Sequence, residues 1–250
     1  MADKLLILGG TGEARRLASL ITERFEGRID VVTSLAGRTR ETAAIAGRIR
    51  RGGFGGARGL ADFLTSEPIR WVIDATHPFA AVMSQNTYDA CTITDTPRLM
   101  LVRPPYEMPQ GVRWMEVADF QAAAENLAKV SKVAFLAVGR GGADAFADVS
   151  GVHLVVRMIE MPEDSLSLDD YTVVTGRPPF TVEDECRLFE THRIDTLVAR
   201  NAGGDQGTAK FEAAKQCGVR VILIARPPLE PGLIVDTPER AVQWIGEQLA

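Results

Sequence analysis

The chain has 250 residues, which is enough for two small domains or one large α/β domain. Hydrophobic residues make up 46% of it and charged residues 24%, which is typical of globular proteins, and no apolar run approaches the ~20 residues that a membrane span needs. The formal net charge of -5 argues against nucleic acid as a partner, because binding a phosphate backbone needs a basic surface.

Strand and helix patterns alternate along the first half of the chain. Short apolar runs indicate strands, and apolar positions at helical spacing indicate helices. The predicted strands are 5–8, 29–33, 71–74 and 99–102, and the predicted helices begin near residues 12, 57 and 78. This alternation predicts a parallel sheet with helices on both faces.

The same alternation restarts in the second half. The predicted strands are 133–138, 152–156, 171–174, 196–199 and 219–224, and the predicted helices are 119–130, 182–191, 207–217 and 238–249. We therefore expect an α/β protein with a second parallel sheet. The predicted domains are residues 1–118 and 119–250, with the boundary inside 116–131.

An Arg-Pro-Pro phrase follows a predicted strand three times, at residues 103–105, 177–179 and 226–228. Proline cannot continue a strand ladder and it fixes φ, so each phrase ends its strand and stiffens the exit. Each phrase therefore puts an arginine at the carboxyl end of a parallel strand. This edge is where open α/β sheets bind their ligands.

A glycine-rich turn with the sequence Gly-Gly-Thr-Gly-Glu-Ala follows the first predicted strand, at residues 9–14. Glycines at this place let backbone N–H groups approach a pyrophosphate at a helix N-terminus, where the helix dipole favours negative charge. Arg15 stands where the dinucleotide fingerprint has its third glycine. The alternative is a tight strand–helix connection without a ligand. The candidate cofactor-binding residues here are Gly10, Thr11, Gly12 and Glu13.

The second predicted strand runs into the segment Thr-Ser-Leu-Ala-Gly-Arg-Thr, residues 33–39. An NAD site usually has Asp or Glu at this strand end, where the carboxylate holds the ribose hydroxyls. This segment has hydroxyl groups and an arginine instead, which favours the 2′-phosphate of NADPH over NADH. We expect Ser34, Arg38 and Thr39 to contact the cofactor. The alternative is that Arg38 is an exposed charge.

The segment Asp-Ala-Thr-His-Pro-Phe, residues 74–79, joins the end of a predicted strand to the start of a helix. Asp74, Thr76 and His77 therefore lie at the ligand-binding edge and are candidate cofactor contacts. His77 has three interpretations, which are a general acid, a contact to a carboxylate and a helix cap. Hydride transfer also needs a proton, and water is an alternative source of it.

Two further glycine loops follow predicted strands in the second half, at residues 138–142 and 199–210. Both are typical of cradles for oxyanions, although neither has the order of a P-loop, and either could be turn chemistry alone. Because arginine–carboxylate contacts are strong and directional, we expect an anionic substrate with several carboxylates. The candidate substrate-binding residues are Arg140, Arg177, Arg200, Asn201, Thr208 and Lys210, and the candidate catalytic residues are His77 and Lys210.

The cysteines and the N-terminus point to a cytoplasmic protein. Cys91, Cys186 and Cys217 are widely spaced and form no Cys-x-x-Cys, which argues against a disulfide framework and against a zinc site. The first residues run directly into a strand pattern and lack the sections of a signal peptide.

Seven segments, taken in order along nearly the whole chain, resemble the precorrin-6A reductases. The most specific of them is Ile-Asp-Ala-Thr-His-Pro-Phe-Ala. The segments are residues 7–14, 34–39, 52–56, 73–80, 103–106, 175–180 and 201–204.

The resemblance implies two Rossmann-like, doubly wound lobes with the active site in the cleft between them. It implies reduction of one double bond of precorrin-6A by NADPH to give precorrin-6B in cobalamin biosynthesis, without metal or flavin. The tetrapyrrole substrate carries acetate and propionate arms, which agrees with the arginines at the strand ends. The resemblance also allows contact with neighbouring pathway enzymes.

Three alternatives stay open at this point. The first is a related reductase that uses NADH on cobalt-precorrin-6A. The second is another reductase or epimerase of the extended Rossmann type, but its Tyr-x-x-x-Lys pair is absent, because none of the three tyrosines has a lysine four residues later. The third is a non-catalytic NADPH-binding sensor, which would need only the first lobe.

Overall fold

The computed structural model describes residues 2–35, 45–204 and 207–250, with all of their side chains except that of Arg140. These residues fold into two α/β units. The first unit runs to Pro104 and resumes at Pro228–Ala250, and the second unit is Pro105–Pro227.

The described residues form helices and strands that mostly alternate along the chain. In chain order they are β1 Asp3–Gly9, α1 Gly12–Arg24, β2 Ile29–Leu35, β3 Arg48–Arg51, α2 Gly56–Ser66, β4 Ile69–Asp74, α3 Ala81–Thr94, β5 Arg98–Leu101, β6 Trp114–Val117, α4 Phe120–Val130, β7 Val133–Ala137, α5 Arg140–Ala143, β8 His153–Met158, β9 Tyr171–Thr175, α6 Val182–His192, β10 Thr196–Arg200, α7 Ala209–Gln216, β11 Arg220–Ile224, β12 Leu233–Val235 and α8 Pro238–Gln248.

The strands of the described residues form two six-stranded sheets. The order is β12-β5-β4-β1-β2-β3 in the first sheet and β6-β11-β10-β7-β8-β9 in the second. Every pairing is parallel. In both sheets the chain winds outward in one direction, returns to the centre and winds outward in the other, which is the doubly wound arrangement. This confirms the predicted α/β fold with two doubly wound sheets.

The first strand shows why continuous apolar runs predicted the central strands. Leu5 and Ile7 face one side of the first sheet, where they pack with residues of α1 and α8. Leu6 and Leu8 face the other side and pack with residues of α2 and α3. Because helices cover both faces, all four residues of the run 5–8 are buried, and alternation of polar and apolar residues is lost.

Three of the four strands at the sheet edges, β3, β6 and β12, were not predicted, whereas the edge strand β9 was. β3 has the sequence Arg-Ile-Arg-Arg and is largely exposed, and β12 exposes Leu233 and Ile234. A strand that is paired on one side only buries little apolar surface, so its sequence carries a weak hydrophobic pattern. The helix α3 begins at Ala81, three residues later than predicted, because residues 77–80 form a turn in which the N–H of Ala80 donates to the carbonyl of His77 (2.7 Å).

The predicted domains were residues 1–118 and 119–250, whereas the two compact units divide at Pro104–Pro105 and at Pro227–Pro228. β6 follows β5 along the chain but pairs with β11 in the second sheet. β12 follows β11 but pairs with β5 in the first sheet, and α8 packs on α1. β6 therefore belongs to the second unit and β12 to the first, and the chain passes from one unit to the other twice.

A search of the described residues for membrane spans found no helix with the length and apolar character required.

Asp195 joins the starts of two strands at the amino edge of the second sheet. Its carboxylate accepts hydrogen bonds from Ser131 Oγ (2.6 Å), the N–H of Lys132 (2.8 Å), the N–H of Val133 (3.1 Å) and Thr196 Oγ1 (2.7 Å). Partial burial raises the pKa of Asp195, but the hydrogen bonds outweigh it and hold the pKa below its usual value.

We expect Asp195→Asn to lower the free energy of unfolding of the second unit by about 1–2 kcal/mol at pH 7, because an amide cannot accept all four bonds. A carboxyl group with a lowered folded-state pKa stabilises the fold above its unfolded pKa of about 4, and this contribution is lost as the pH falls through the folded value. The advantage of the wild type should therefore shrink below about pH 4. Calorimetric unfolding from pH 7 to pH 3 measures it, with exposed Asp148→Asn as the control. Equal stability of the wild type and Asp195→Asn at pH 7 would show that the cluster does not stabilise the unit.

Candidate functional site

Each sheet contains one place where the strand order reverses. In the first sheet the reversal lies between β1 and β4, and in the second it lies between β7 and β10. The loops that leave two such strands run to opposite faces of the sheet, so a crevice opens above the carboxyl edge. Predicted site residues that lie close to the reversal of their unit are the ones placed to bind a ligand in this crevice.

The glycine turn of the first unit lies at the β1/β4 reversal and has open space beside it. A β-carbon on Gly9 would lie only 2.6 Å from that of Ala14, so this glycine allows α1 to pack closely on the strand. Gly10 has a φ of 138°, which side chains rarely adopt. Apart from the adjacent residues and the backbone of α1 itself, no described atom lies within 4 Å of the place where a β-carbon would stand on Gly10 or Gly12. The turn can therefore receive a ligand directly against its backbone.

Thr11 fastens this turn to both neighbouring elements. Its hydroxyl accepts a hydrogen bond from the N–H of Ala14 (3.1 Å), which caps α1, and donates one to the carbonyl of Ala75 (2.9 Å). The N–H of Ala75 in turn donates to the carbonyl of Leu8 (2.9 Å). The predicted cofactor contact Thr11 thus uses its side chain to hold together the two loops of the reversal.

Glu13, in the first turn of α1, forms an ion pair with Arg103, which follows β5. Nη1 of Arg103 donates to Oε1 (3.1 Å) and to Oε2 (3.0 Å) of Glu13. The two side chains are 17% and 27% exposed, for Arg103 and Glu13 respectively. The pair places a partly buried cation beside the glycine turn.

The segment after β4 forms the other wall of the first reversal. The carboxylate of Asp74 is 4% exposed and its Oδ1 accepts from the N–H (3.1 Å) and the Oγ1 (2.7 Å) of Thr76. His77 is half-buried, and its Nδ1 accepts from the N–H of Phe79 (3.2 Å). Because Nδ1 acts as an acceptor, the neutral ring carries its proton on Nε2. The structure therefore brings Asp74, Thr76 and His77 to the same crevice as the glycine turn.

The predicted 2′-phosphate contacts are only partly within the described residues. Ser34 lies near the end of β2, where it pairs in register with Leu8, and it is 6% exposed. Arg38 and Thr39 lie outside the described residues.

Asn201 organises the reversal of the second unit. Its Oδ1 accepts from the N–H of Tyr106 (2.9 Å), and its Nδ2 donates to Oε1 of Glu116 (3.3 Å). Arg226 donates through Nε to the carbonyl of Asn201 (2.7 Å) and through Nη2 to that of Ala202 (3.1 Å). The loop after β10 is therefore fixed by the segment before β6, by β6 itself and by the segment after β11, and Asn201 is almost fully buried.

Two of the predicted cations of the second unit, Arg200 and Lys210, lie at the β7/β10 reversal. Nη2 of Arg200 lies 3.5 Å from where a β-carbon would stand on Gly139, so its guanidinium covers the turn after β7. Lys210 donates to the carbonyl of Gly207 (2.8 Å) and lies against the rings of Tyr106 and Phe211. Both lysine and arginine belong to the β7/β10 reversal.

The other predicted substrate contacts of this unit are less closely grouped. Thr208 precedes α7 but makes no capping hydrogen bond with its side chain. Arg177 follows β9, three strands from β10 or about 14 Å away, and pairs with Glu160 at 2.7 Å on the exposed surface. The side chain of Arg140 is outside the described part of the structure. The structure therefore does not bring Arg177 to the same reversal as Arg200 and Lys210.

The chain is similar to known proteins over nearly its whole length. The family model described as Precorrin-6x reductase CbiJ/CobK matches residues 4–246. The chain belongs to this family. It is 42% identical over 244 residues to a precorrin-6A reductase of Rhodococcus erythropolis, covering 97% of both chains, and 40% identical to one of Rhodobacter capsulatus, covering 98% of this chain and 96% of that relative. A solved structure titled CobK precorrin-6A reductase matches with a TM-score of 0.89 and 40% identity, covering 99% of this chain and 97% of that one.

The predicted site residues did not include four residues that contact the loops at the two reversals, which are Arg103, Tyr106, Glu116 and Arg226. Two of them carried a signal, because the Arg-Pro-Pro phrase places Arg103 and Arg226 at strand ends. Their partners lie 90 residues and about 25 residues away along the chain, and no local pattern reports such contacts. A search of the described residues for clusters of His, Cys, Asp and Glu found none able to hold a metal ion.

We expect Thr11→Val to lower the free energy of unfolding of the first unit by about 1 kcal/mol or more, because it removes both the cap and the bond to Ala75. Thr11→Ser keeps the hydroxyl and should lose less than half of that. Urea unfolding followed by tryptophan fluorescence measures the difference, since Trp71 and Trp244 are buried in this unit. Equal stabilities of the two variants would contradict the assigned role of the hydroxyl.

Proposed function

We propose that the chain reduces one carbon–carbon double bond of precorrin-6A with NADPH and gives precorrin-6B in cobalamin biosynthesis. The observation that carries the proposal is the β1/β4 reversal of the first unit. It combines an open glycine turn, the N-terminus of a 13-residue helix and the Asp74–His77 segment in one crevice. The full-length similarity to precorrin-6A reductases supports the same reaction.

The residues of this crevice fit a dinucleotide. The backbone of Gly10 and Gly12 has room for a diphosphate, and the helix dipole of α1 favours its charge. β2 ends in Thr33, Ser34 and Leu35, so its described end has no carboxylate for a ribose. This supports NADPH, with Arg38 and Thr39 as the proposed 2′-phosphate contacts. When bound, NADPH would supply the hydride.

The second unit is the proposed holder of the substrate. Arg200 and Lys210 bring positive charge to the β7/β10 reversal, and acetate and propionate arms of a tetrapyrrole are carboxylates that such cations bind. Arg140, Arg177, Asn201 and Thr208 are proposed as further substrate contacts. The protein then acts mainly by orienting the macrocycle, because holding two reactants in a reactive geometry removes much of the entropic barrier.

Reduction of the double bond also needs a proton. His77 is the proposed donor through Nε2, because Nδ1 faces the backbone N–H of Phe79. The donating form is the imidazolium, which becomes a neutral ring when Nε2 gives its proton to the substrate carbon. Lys210 is the second proposed catalytic residue.

The experiment that tests the reaction follows the near-ultraviolet absorbance of NADPH with purified protein and precorrin-6A, with NADH and cobalt-precorrin-6A as comparison arms. Oxidation of NADPH that requires precorrin-6A and yields precorrin-6B would support the proposal. Turnover with the cobalt compound and NADH alone would assign the chain to the related cobalt-dependent reaction. Binding of NADPH without turnover of either compound would favour a sensor.

We expect Arg38→Ala to raise the KM for NADPH about tenfold or more, because it removes a charge-assisted contact to the 2′-phosphate. The KM for NADH should change little, since NADH lacks that phosphate. Steady-state kinetics with both cofactors measures the ratio. An equal rise for both would show that Arg38 does not contact the 2′-phosphate.

We expect His77→Gln to lower kcat about a hundredfold while the Kd for NADPH stays within about twofold of the wild type, because glutamine offers an N–H but no transferable proton. His192→Gln, in the last turn of α6, serves as the control and should keep kcat. Rapid-mixing kinetics and titration calorimetry separate the two quantities. A kcat close to that of the wild type would assign the proton to another donor.

A further inference from the structure

The first turn of α1 contains an acid at the place proposed for a diphosphate. Gly10 and Gly12 open the backbone there, and Glu13 is the acidic residue of that helical turn. The helix dipole favours an anion, but a carboxylate in the same turn opposes a second anion by direct repulsion. Something must offset the charge of Glu13 if the turn is to hold a diphosphate.

Arg103 is placed to do so. Its Nη1 donates to both carboxylate oxygens of Glu13, at 3.1 Å and 3.0 Å. The pair is mostly buried, with 17% of the Arg103 side chain and 27% of the Glu13 side chain exposed. Solvent and salt screen such a pair less than a surface pair, so the two charges matter to a nearby anion.

The fold brings Arg103 to Glu13 across the sheet. Two strand spacings separate β5 from β1, or about 10 Å, because β4 lies between them. The N–H of Val102 donates to the carbonyl of Val235 in β12 (2.8 Å), and Pro104 fixes the following φ, so the backbone on both sides of Arg103 is restrained. The long guanidinium side chain spans the remaining distance.

We propose that Arg103 is a positioning residue for the diphosphate of the nicotinamide cofactor. It neutralises Glu13 and holds the carboxylate on the β5 side of the helix, so that the N–H groups of the glycine turn meet the diphosphate without an opposing charge. This inference rests on the proposed function. It differs from the role of Arg38, because NADPH and NADH share the diphosphate and should be affected alike.

The test measures cofactor binding by variants in which one charge of the Glu13–Arg103 pair, or both charges, are removed. Titration calorimetry gives the Kd of NADPH and of NADH for the wild type, Arg103→Met, Glu13→Gln and the double variant. Arg16→Met is the matched control. Arg16 lies on α1, as Glu13 does, carries the same charge as Arg103 and pairs with Glu239 at an exposed site.

Arg103→Met should raise the Kd of both cofactors about tenfold, since Glu13 is left as an uncompensated charge near the diphosphate. Glu13→Gln should lower the Kd about twofold. The double variant should return to within about threefold of the wild type, because the opposing charge is gone together with its partner. Arg16→Met should bind both cofactors as the wild type does.

Other outcomes overturn the inference. An unchanged Kd in Arg103→Met with a lowered Tm would make the pair a structural tie only. A double variant as weak as Arg103→Met would mean that the loss of Arg103 does not act through Glu13. An equal loss in Arg16→Met would assign the effect to net charge. Failure of the wild type to bind either cofactor is a separate result, which would refute the proposed function itself.

Discussion

A parallel sheet whose strand order reverses leaves a crevice above its carboxyl edge, because the two loops at the reversal leave toward opposite faces. Both units of this protein are built around such a reversal, and the polar side chains of the candidate sites gather there. The crevice must be kept open and its loops must be fixed. In the first unit the hydroxyl of Thr11 does this by bridging the loops after β1 and β4.

The two reversals have the same topology but different chemistry. In the first unit the glycine turn is open and leads into a helix of 13 residues, which suits a diphosphate. In the second unit the corresponding turn is covered by the guanidinium of Arg200 and leads into a helix of four residues. The second reversal is therefore better suited to carboxylates. This contrast supports the proposal that the first unit binds the cofactor and the second unit binds the substrate.

Sequence alone predicted the central strands and the helices beside them, because burial on both faces leaves long apolar runs, as in Leu5–Leu8. It predicted the edge strand β9 but missed the other three edge strands, β3, β6 and β12, which bury little surface. With β12 it missed the return of the chain to the first unit. The candidate site was predicted as positions along the chain, and the partners were not. The pair of Glu13 and Arg103 joins residues 90 positions apart, which only the assembled sheet brings together.

We place the proposed dinucleotide at the β1/β4 reversal and not at the β7/β10 reversal. Hydrogen–deuterium exchange of the full chain with and without NADPH tests it most directly, because amides that contact or border the ligand exchange more slowly. We expect NADPH to protect residues 9–14 and 74–79 and to leave exchange at residues 138–142 unchanged. Protection of residues 138–142 without protection of residues 9–14 would contradict it.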